Sequence, residues 1–385
     1  MRSIGRGVLA AVATALWAIS FSSVAVAGDI QFKKTQLDTV FRSEGVAAGD
    51  FNGDGKLDIA AGSVYYAAPD WKMRTIADKP RKFDPKGYSN TFLNFADDIN
   101  HDGWIDLVVV DFPGRQTWWF ENPKGSTGPW KRYECVPVTN NESPTLWDVD
   151  GDGQRELVFS NGDFRLAYAE PGDDVTQPWR QVPISAPKAP GTQKFSHGLG
   201  VGDVNLDGRA DVLTTGGWWQ APEDRVHGKW AFHAVNFGQP CSQMYVHDFD
   251  GDGDQDVLSA SAHNFGIWWH EQTPKGWKTH EIDRSFSQTH SLCLADINQD
   301  GRMDFVTGKR WWAHGGHDPG GDQPAVMYWY ELTRRDGRPV WTAHQFDHDS
   351  GVGTEFEVVD INGDGRLDVI TSNKKGVFYF EQVAP

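Results

Sequence analysis

The sequence predicts an all-β fold, a seven-bladed β-propeller whose last blade is completed by the N-terminal strand. Three observations carry that prediction. An acidic nine-residue pattern recurs seven times, and an aromatic strand follows each copy. A more polar strand follows six of these, with its seventh counterpart at the start of the chain.

The first residues read as processing signal. Arg2 and Arg6 precede an apolar stretch over residues 8–24, and Ala25-Val26-Ala27 offers the small-x-small pattern of a peptidase site. Residues 1–27 are therefore expected to be a signal peptide, with export to the periplasm or beyond and Gly28 as the mature start. The stretch falls short of the roughly 20 apolar residues of a comfortable span, so no retained membrane segment is expected. Residues 28–385 are expected to form one domain, since all-β folds often exceed the average domain length. The 18 tryptophans and 42 glycines suit many short strands joined by tight turns. Cys135, Cys241 and Cys293 are too few and too scattered for a disulfide framework and are expected to be free thiols. The net charge of −17 excludes a nucleic-acid partner, and 13% aromatic residues exclude a disordered acidic chain.

The acid is concentrated in the repeats. The pattern D-x-[DN]-x-D-G-x-x-[DE] starts at residues 50, 98, 148, 203, 248, 296 and 360, with spacings of 48, 50, 55, 45, 48 and 64. Such regular recurrence marks a repeat architecture. Oxygens at positions one, three, five and nine, with a backbone carbonyl at seven, can surround a hard cation, and glycine at six permits the turn. The expected calcium ligands are Asp50, Asn52, Asp54 and Asp58; Asp98, Asn100, Asp102 and Asp106; Asp148, Asp150, Asp152 and Glu156; and Asp203, Asn205, Asp207 and Asp211. The last three loops supply Asp248, Asp250, Asp252 and Asp256; Asp296, Asn298, Asp300 and Asp304; and Asp360, Asn362, Asp364 and Asp368. Their flanks are strand-like, so each loop joins two strands. Closure of some loops by Asx-type hydrogen bonds without metal is the structural alternative.

The aromatic strands are VYYAA (64–68), TWWFE (117–121), LAYAE (166–170), WWQAP (218–222), IWWHE (267–271), MYWYE (327–331) and VFYFE (377–381). Polar outer strands such as WKRYEC (130–135) follow the first six. The seventh has its counterpart in FKKTQL (32–37), which should pair with residues 377–381 and close the ring. Closure removes the exposed sheet edges that invite aggregation.

All seven loops then share one face, and a ligand is expected at the opposite one. Six residues before each first loop Asp stand Glu44, Phe92, Glu142, His197, Ser242, His290 and Thr354. This ring is not core-like. His197 and His290, with His263 in the intervening fifth repeat, can converge as the three-histidine ligand set of a zinc site with one open position. His233, His280 and His344 share an outer-strand position and are expected to be packing residues. The Gly-rich, cationic insertion KRWWAHGGHDPG (309–320) should hang over the same mouth, and Lys374 and Lys375 are weaker candidates. No nucleotide-binding glycine fingerprint, nucleophile elbow or HExxH helix occurs.

The acidic loops resemble FG-GAP/VCBS-type repeats. The segments SHGLGVGDVNLDG (196–208), SAHNFGIWWHEQ (261–272), THSLCLADINQDG (289–301) and GKRWWAHGGHDPG (308–320) are similar to secreted bacterial VCBS-repeat proteins and to the propeller domain of the aldos-2-ulose dehydratase family. That resemblance implies a zinc-dependent dehydration of keto-sugars, with His197, His263 and His290 as ligands. From their position alone, Glu142 or His314 is expected to serve as the base, and Lys309 or Arg310 to stabilise negative charge. The dehydratase family carries further domains that do not match here. The expected partner is a carbohydrate or sugar-derived molecule, and the rival expectation is a non-catalytic lectin-like or adhesion propeller.

Overall fold

The computed structural model describes residues 30–126, 128–239 and 243–384. The expected signal peptide, Cys241 and Ser242 lie outside the described residues. The fold is an all-β propeller. Among the described residues the sole helical element is a 3₁₀ turn, Ala313–Gly316, and no helix is long and apolar enough to cross a membrane.

Each repeat forms an antiparallel meander of four strands. In the second repeat these are Leu93–Asp97, Asp106–Val110, Arg115–Glu121 and Lys131–Thr139. The second strand, DLVVV, is buried along its whole length because neighbouring sheets cover both its faces. The outermost strands are polar and largely exposed, as in Lys72–Thr75 and Ala231–Ala234. The expected closure is present: Gln31–Asp38 pairs antiparallel with Gly376–Val383, placing Lys34 opposite Phe380 and Gln36 opposite Phe378.

The strands group into five four-stranded sheets and one eight-stranded sheet, rather than seven separate sheets. The large sheet arises where the innermost strands of the fourth and fifth repeats pair in parallel, Leu199 with Gln243 and Gly200 with Met244. Glycine permits the approach. A Cβ on Gly200 would stand 2.4 Å from the Met244 carbonyl oxygen, so a bulkier residue would hold the two strands apart.

One contact recurs in every repeat. The ninth residue of the acidic loop opens the second strand, and its buried carboxylate accepts the backbone N–H of loop position two. Phe51, Ile99, Val149, Val204, Phe249, Ile297 and Ile361 donate to Asp58, Asp106, Glu156, Asp211, Asp256, Asp304 and Asp368 at 2.9–3.3 Å. In six repeats the other carboxylate oxygen accepts an N–H just beyond the aromatic strand, from Ala68, Asn122, Ala221, Gln272, Leu332 or Gln382. The acid thereby clips the loop to the third strand.

Position two, always apolar, is buried in all seven repeats. It reaches the next sheet: Phe51 packs against Trp130 and Phe249 against Trp341, with ring centres 6.0 and 5.4 Å apart. Its carbonyl accepts a side-chain N–H from that sheet, as Asn122 donates to Phe51, Gln272 to Val204 and Gln382 to Ile297. The histidines expected in outer strands do pack, His233, His280 and His344 stacking on Trp218, Trp269 and Trp329 at 4.1–4.3 Å. Cys135 and Cys293 are free thiols.

Burial pushes the ninth carboxyl up in each repeat, to about 6 for Asp58, Asp211 and Asp368, about 7 for Asp106, Asp256 and Asp304, and about 8 for Glu156. A carboxyl whose folded value lies above its unfolded one binds protons more tightly in the fold, so its contribution to stability falls as pH rises between the two. Protein held in chelator should therefore lose thermal stability from about pH 5 to about pH 8. Thermal unfolding across that window tests this, and a flat or rising profile contradicts it.

Candidate metal centre

The start of each innermost strand lies at the opposite end from its acidic loop, and residues at four of these starts meet in one buried cluster. Their side chains share an offset in the repeat, so the turn of the propeller brings them round to a common axis. Glu142 and His197 are nearly inaccessible at 6% and 7%, and His290 is fully buried. His197 Nε2 lies 3.2 Å from His290 Nε2 and 3.2 Å from His263 Nε2. Glu142 Oε2 lies 3.4 Å from both His197 and His290 Nε2.

Proton positions follow from the partners. His197 Nδ1 faces the Phe195 carbonyl at 2.8 Å, which can only accept, so the ring proton sits on Nδ1. His263 Nδ1 likewise donates to Asp318 Oδ2 at 3.1 Å. The two Nε2 atoms then face each other at 3.2 Å, a gap that a proton or a cation can bridge. Burial lowers His263 to about 4, and burial followed by Arg310 holds His290 well below the ordinary imidazole value, so both rings are neutral and ligand-ready. Tetrahedral zinc with Zn–N near 2.0–2.1 Å sets its nitrogens about 3.3 Å apart, which the observed spacing fits. Asp318 and the Phe195 carbonyl supply the outer hydrogen bonds that orient ligating histidines. One feature opposes ligation: Arg310 NH1 donates to His290 Nε2 at 2.8 Å and must release it before that nitrogen can bind an ion.

Arg310 is buried, NH2 donating to Glu44 Oε1 at 3.0 Å and NH1 lying 3.6 Å from Glu142 Oε2. It is anchored between two carboxylates rather than presented to a ligand. Lys309 turns to the other side, as successive strand residues do. Its ammonium is fully buried without a hydrogen-bond partner among the described residues, and burial lowers its pKa. Lys309 is thus not brought to the histidines.

His314 sits over them. Its ring lies 4.5 Å from that of His263, and its Nδ1 lies 3.0 Å from Asp318 Oδ1, with half the side chain exposed. Asp318 therefore holds His263 and His314 together. Lys374 Nζ donates to the Trp312 carbonyl at 3.1 Å and stands 4.1 Å above the Tyr88 ring; burial, then Arg310, lowers it to about 8. Lys375 pairs with Asp349, away from the cluster. Phe92 and Thr354, from the same ring of strand starts, are buried packing residues.

Sequence reasoning assigned no role to Glu44 or Asp318. Glu44 was marked by its shared offset with Glu142, whereas Asp318 lies in an irregular insertion without a counterpart in other repeats.

The acidic loops are closed by their own hydrogen bonds. The glycine at position six donates to the first Asp in every loop, for example Gly55 to Asp50 at 2.8 Å, and has φ between 81° and 98°. In three loops an arginine at position seven pairs with the fifth-position carboxylate: Arg209 with Asp207, Arg302 with Asp300 and Arg366 with Asp364. The loops beginning at Asp148 and Asp248 lack this arginine and gather three acids each, Asp148, Asp150 and Glu156, and Asp248, Asp250 and Asp256.

Residues 98–159 and 248–307 match the FG-GAP-like repeat, and residues 44–67 the FG-GAP repeat. The chain carries FG-GAP repeats. No curated protein matches the sequence. Among solved structures, the BBS1N chain in complex with ARL6DN is similar at 10% identity and a TM-score of 0.53, over 92% of this chain and 97% of that one. The rhamnogalacturonan lyase YesW is similar at 12% identity and a TM-score of 0.46, over 92% and 76%. The V. cholerae biofilm matrix protein Bap1 is similar at 12% identity and 0.44, over 93% and 92%. At these identities the BBS1N likeness shows the fold alone.

The Glu44–Arg310 pair allows a direct test. Glu44→Ala leaves a buried guanidinium short of one partner and should destabilise by about 3–5 kcal/mol in urea unfolding. Glu44→Gln, which keeps an acceptor, should cost less.

Proposed function

We propose that this chain is an exported, calcium-stabilised seven-bladed propeller that uses a zinc centre to eliminate water or an alcohol from a keto-sugar or glycoside. The convergence of three Nε2 atoms, that of His197 lying 3.2 Å from each of the other two, with the Nδ1 atoms of His197 and His263 already committed, carries the reading. The count of seven treats the eight-stranded sheet as two blades joined at a two-residue parallel contact. The resemblance of residues 196–208, 261–272, 289–301 and 308–320 to the aldos-2-ulose dehydratase propeller supports the sugar assignment.

His197, His263 and His290 would hold the ion, with Glu142 Oε2 facing the same point. Zinc bound there would supply Lewis-acid polarisation of a sugar carbonyl. Glu142 points into the ligand set, so His314 is better placed as the base: Asp318 fixes its Nδ1 proton and leaves Nε2 free towards solvent. His314 Nε2 takes the proton from carbon next to the carbonyl. That C–H electron pair becomes the C=C bond as the β C–O bond breaks, and the Lys374 ammonium protonates the departing oxygen. Arg310 fixes Glu44 and Glu142 in place.

Purified protein should contain about one zinc per chain, the stoichiometry of a single three-histidine site. His197→Ala and His290→Ala should lose it while keeping the circular dichroism of the fold. A wild type without zinc would sink the mechanism and leave a carbohydrate-binding propeller. With keto-sugars such as 1,5-anhydrofructose, turnover should appear as rising enone absorbance, and His314→Ala should lower kcat by about 10²–10⁴-fold.

The structural cations are assigned unevenly. Loops 148–156 and 248–256 should bind Ca²⁺ most tightly, because each gathers three acids and no arginine pairs with its fifth carboxylate. Asp148→Ala or Asp248→Ala should remove most of the stabilisation that added Ca²⁺ gives in thermal unfolding, whereas Asp360→Ala should remove little.

A further inference from the structure

Beside the histidine cluster runs a strip of aromatic rings that the proposed chemistry leaves unused. Tyr88, Phe92 and Phe112 come from the second repeat and the chain leading into it, and Phe195 from the chain leading into the fourth. Their ring centres are 5.7 Å apart for Tyr88 and Phe112, 5.2 Å for Phe92 and Phe112, and 5.5 Å for Phe112 and Phe195. Phe92 is buried and supports the strip, whereas Tyr88 and Phe195 are 36% and 43% exposed. Arg310 lies at one end, 5.8 Å from the Tyr88 and Phe92 centres.

Phe195 is held outward by its backbone. Its N–H donates to the Asn140 carbonyl at 2.9 Å, and its own carbonyl accepts the His197 Nδ1 proton at 2.8 Å. Between these bonds its φ is +63°, a left-handed conformation that a bulky side chain rarely adopts. A strained backbone that keeps an apolar ring in solvent, and also orients a candidate metal ligand, is the kind of feature found at ligand sites.

Lys194 completes the strip. Its Nζ stands 4.8 Å from the Phe195 centre and 5.9 Å from that of Phe112. The side chain lies against the Gly114 backbone, where a Cβ would come within 2.7 Å of Cε. An ammonium is thus held over exposed rings in a protein whose net charge is −17.

We propose that Phe112, Phe195 and Lys194 form a subsite for an acidic pyranose, a uronic acid residue, next to the histidine cluster; this deepens the sugar-directed reading and rests on it. The rings offer apolar faces without a hydrogen-bonding handle, which suits the C–H face of a pyranose and leaves its hydroxyls to water. The ammonium at the edge of those faces suits a carboxylate on the ring.

Calorimetric titration with tetragalacturonate and its carboxyl-reduced counterpart tests this on the wild type, Phe195→Ala and Lys194→Gln. The wild type should prefer the acidic sugar by about tenfold, Phe195→Ala should weaken both sugars by about tenfold, and Lys194→Gln should weaken the acidic one alone. Equal binding of the two sugars by the wild type, failure to bind either, or unchanged binding by Phe195→Ala overturns the subsite. Zinc content of the same samples separates the two readings. Absence of zinc from wild type defeats the metal centre, whereas normal zinc with unaltered titrations defeats only the subsite. Retained zinc in Phe195→Ala also shows that His197 has not been displaced.

Discussion

The fold depends on a buried carboxylate that is satisfied by two backbone N–H groups. At the ninth loop position this acid joins the start of one strand to the loop before it and to the chain beyond the third strand. Each bond is an ordinary charge-assisted hydrogen bond, but its position is what matters: it fixes the loop whose second residue must plug the neighbouring sheet. Where the clip holds, the apolar side chain at position two and its carbonyl both find partners across the interface, as Phe51 does with Trp130 and Asn122. Local turn chemistry and packing between sheets are therefore one structural unit.

The clip is buried and charged, so its stability is conditional. Desolvation works against each ninth carboxylate, and the nearby acids of positions one and five add to the penalty in loops such as that of Asp58. A cation in the loop would relieve that repulsion, and in three loops an arginine already relieves part of it. The same pattern of acids can thus be answered by metal or by guanidinium, and the seven loops need not behave alike.

Much of this was legible in the sequence because it repeats. The period placed the loops, the displaced outer strand FKKTQL pointed to the pairing of Gln31–Asp38 with Gly376–Val383, and the common offset brought Glu142, His197 and His290 together. What escaped lay outside the repeat. The approach of the fourth and fifth innermost strands needs the missing Cβ at Gly200, whose neighbours in the strand give no sign of the pairing. The separation of Lys309 from Arg310 follows from strand alternation at the start of an irregular insertion, and Asp318 acquires its role only through the fold of that insertion. The ninth-position acid was read as a metal oxygen, and its use as a backbone acceptor depends on where the third strand ends.

The charge balance of the histidine cluster turns on Arg310. Glu44 and Glu142 are both buried, and Arg310 is the guanidinium they share. Burial, against the pull of Arg310 and Lys374, raises the Glu44 carboxyl above its ordinary value, whereas, against burial, His197 and His290 hold the Glu142 carboxyl well below its own. A proton on Glu44 would weaken the bond that anchors Arg310. A divalent ion among the Nε2 atoms would instead draw on Glu142, free the guanidinium from His290 and leave it to Glu44. Arg310 is therefore the residue whose position should report the arrival of an ion at the proposed centre.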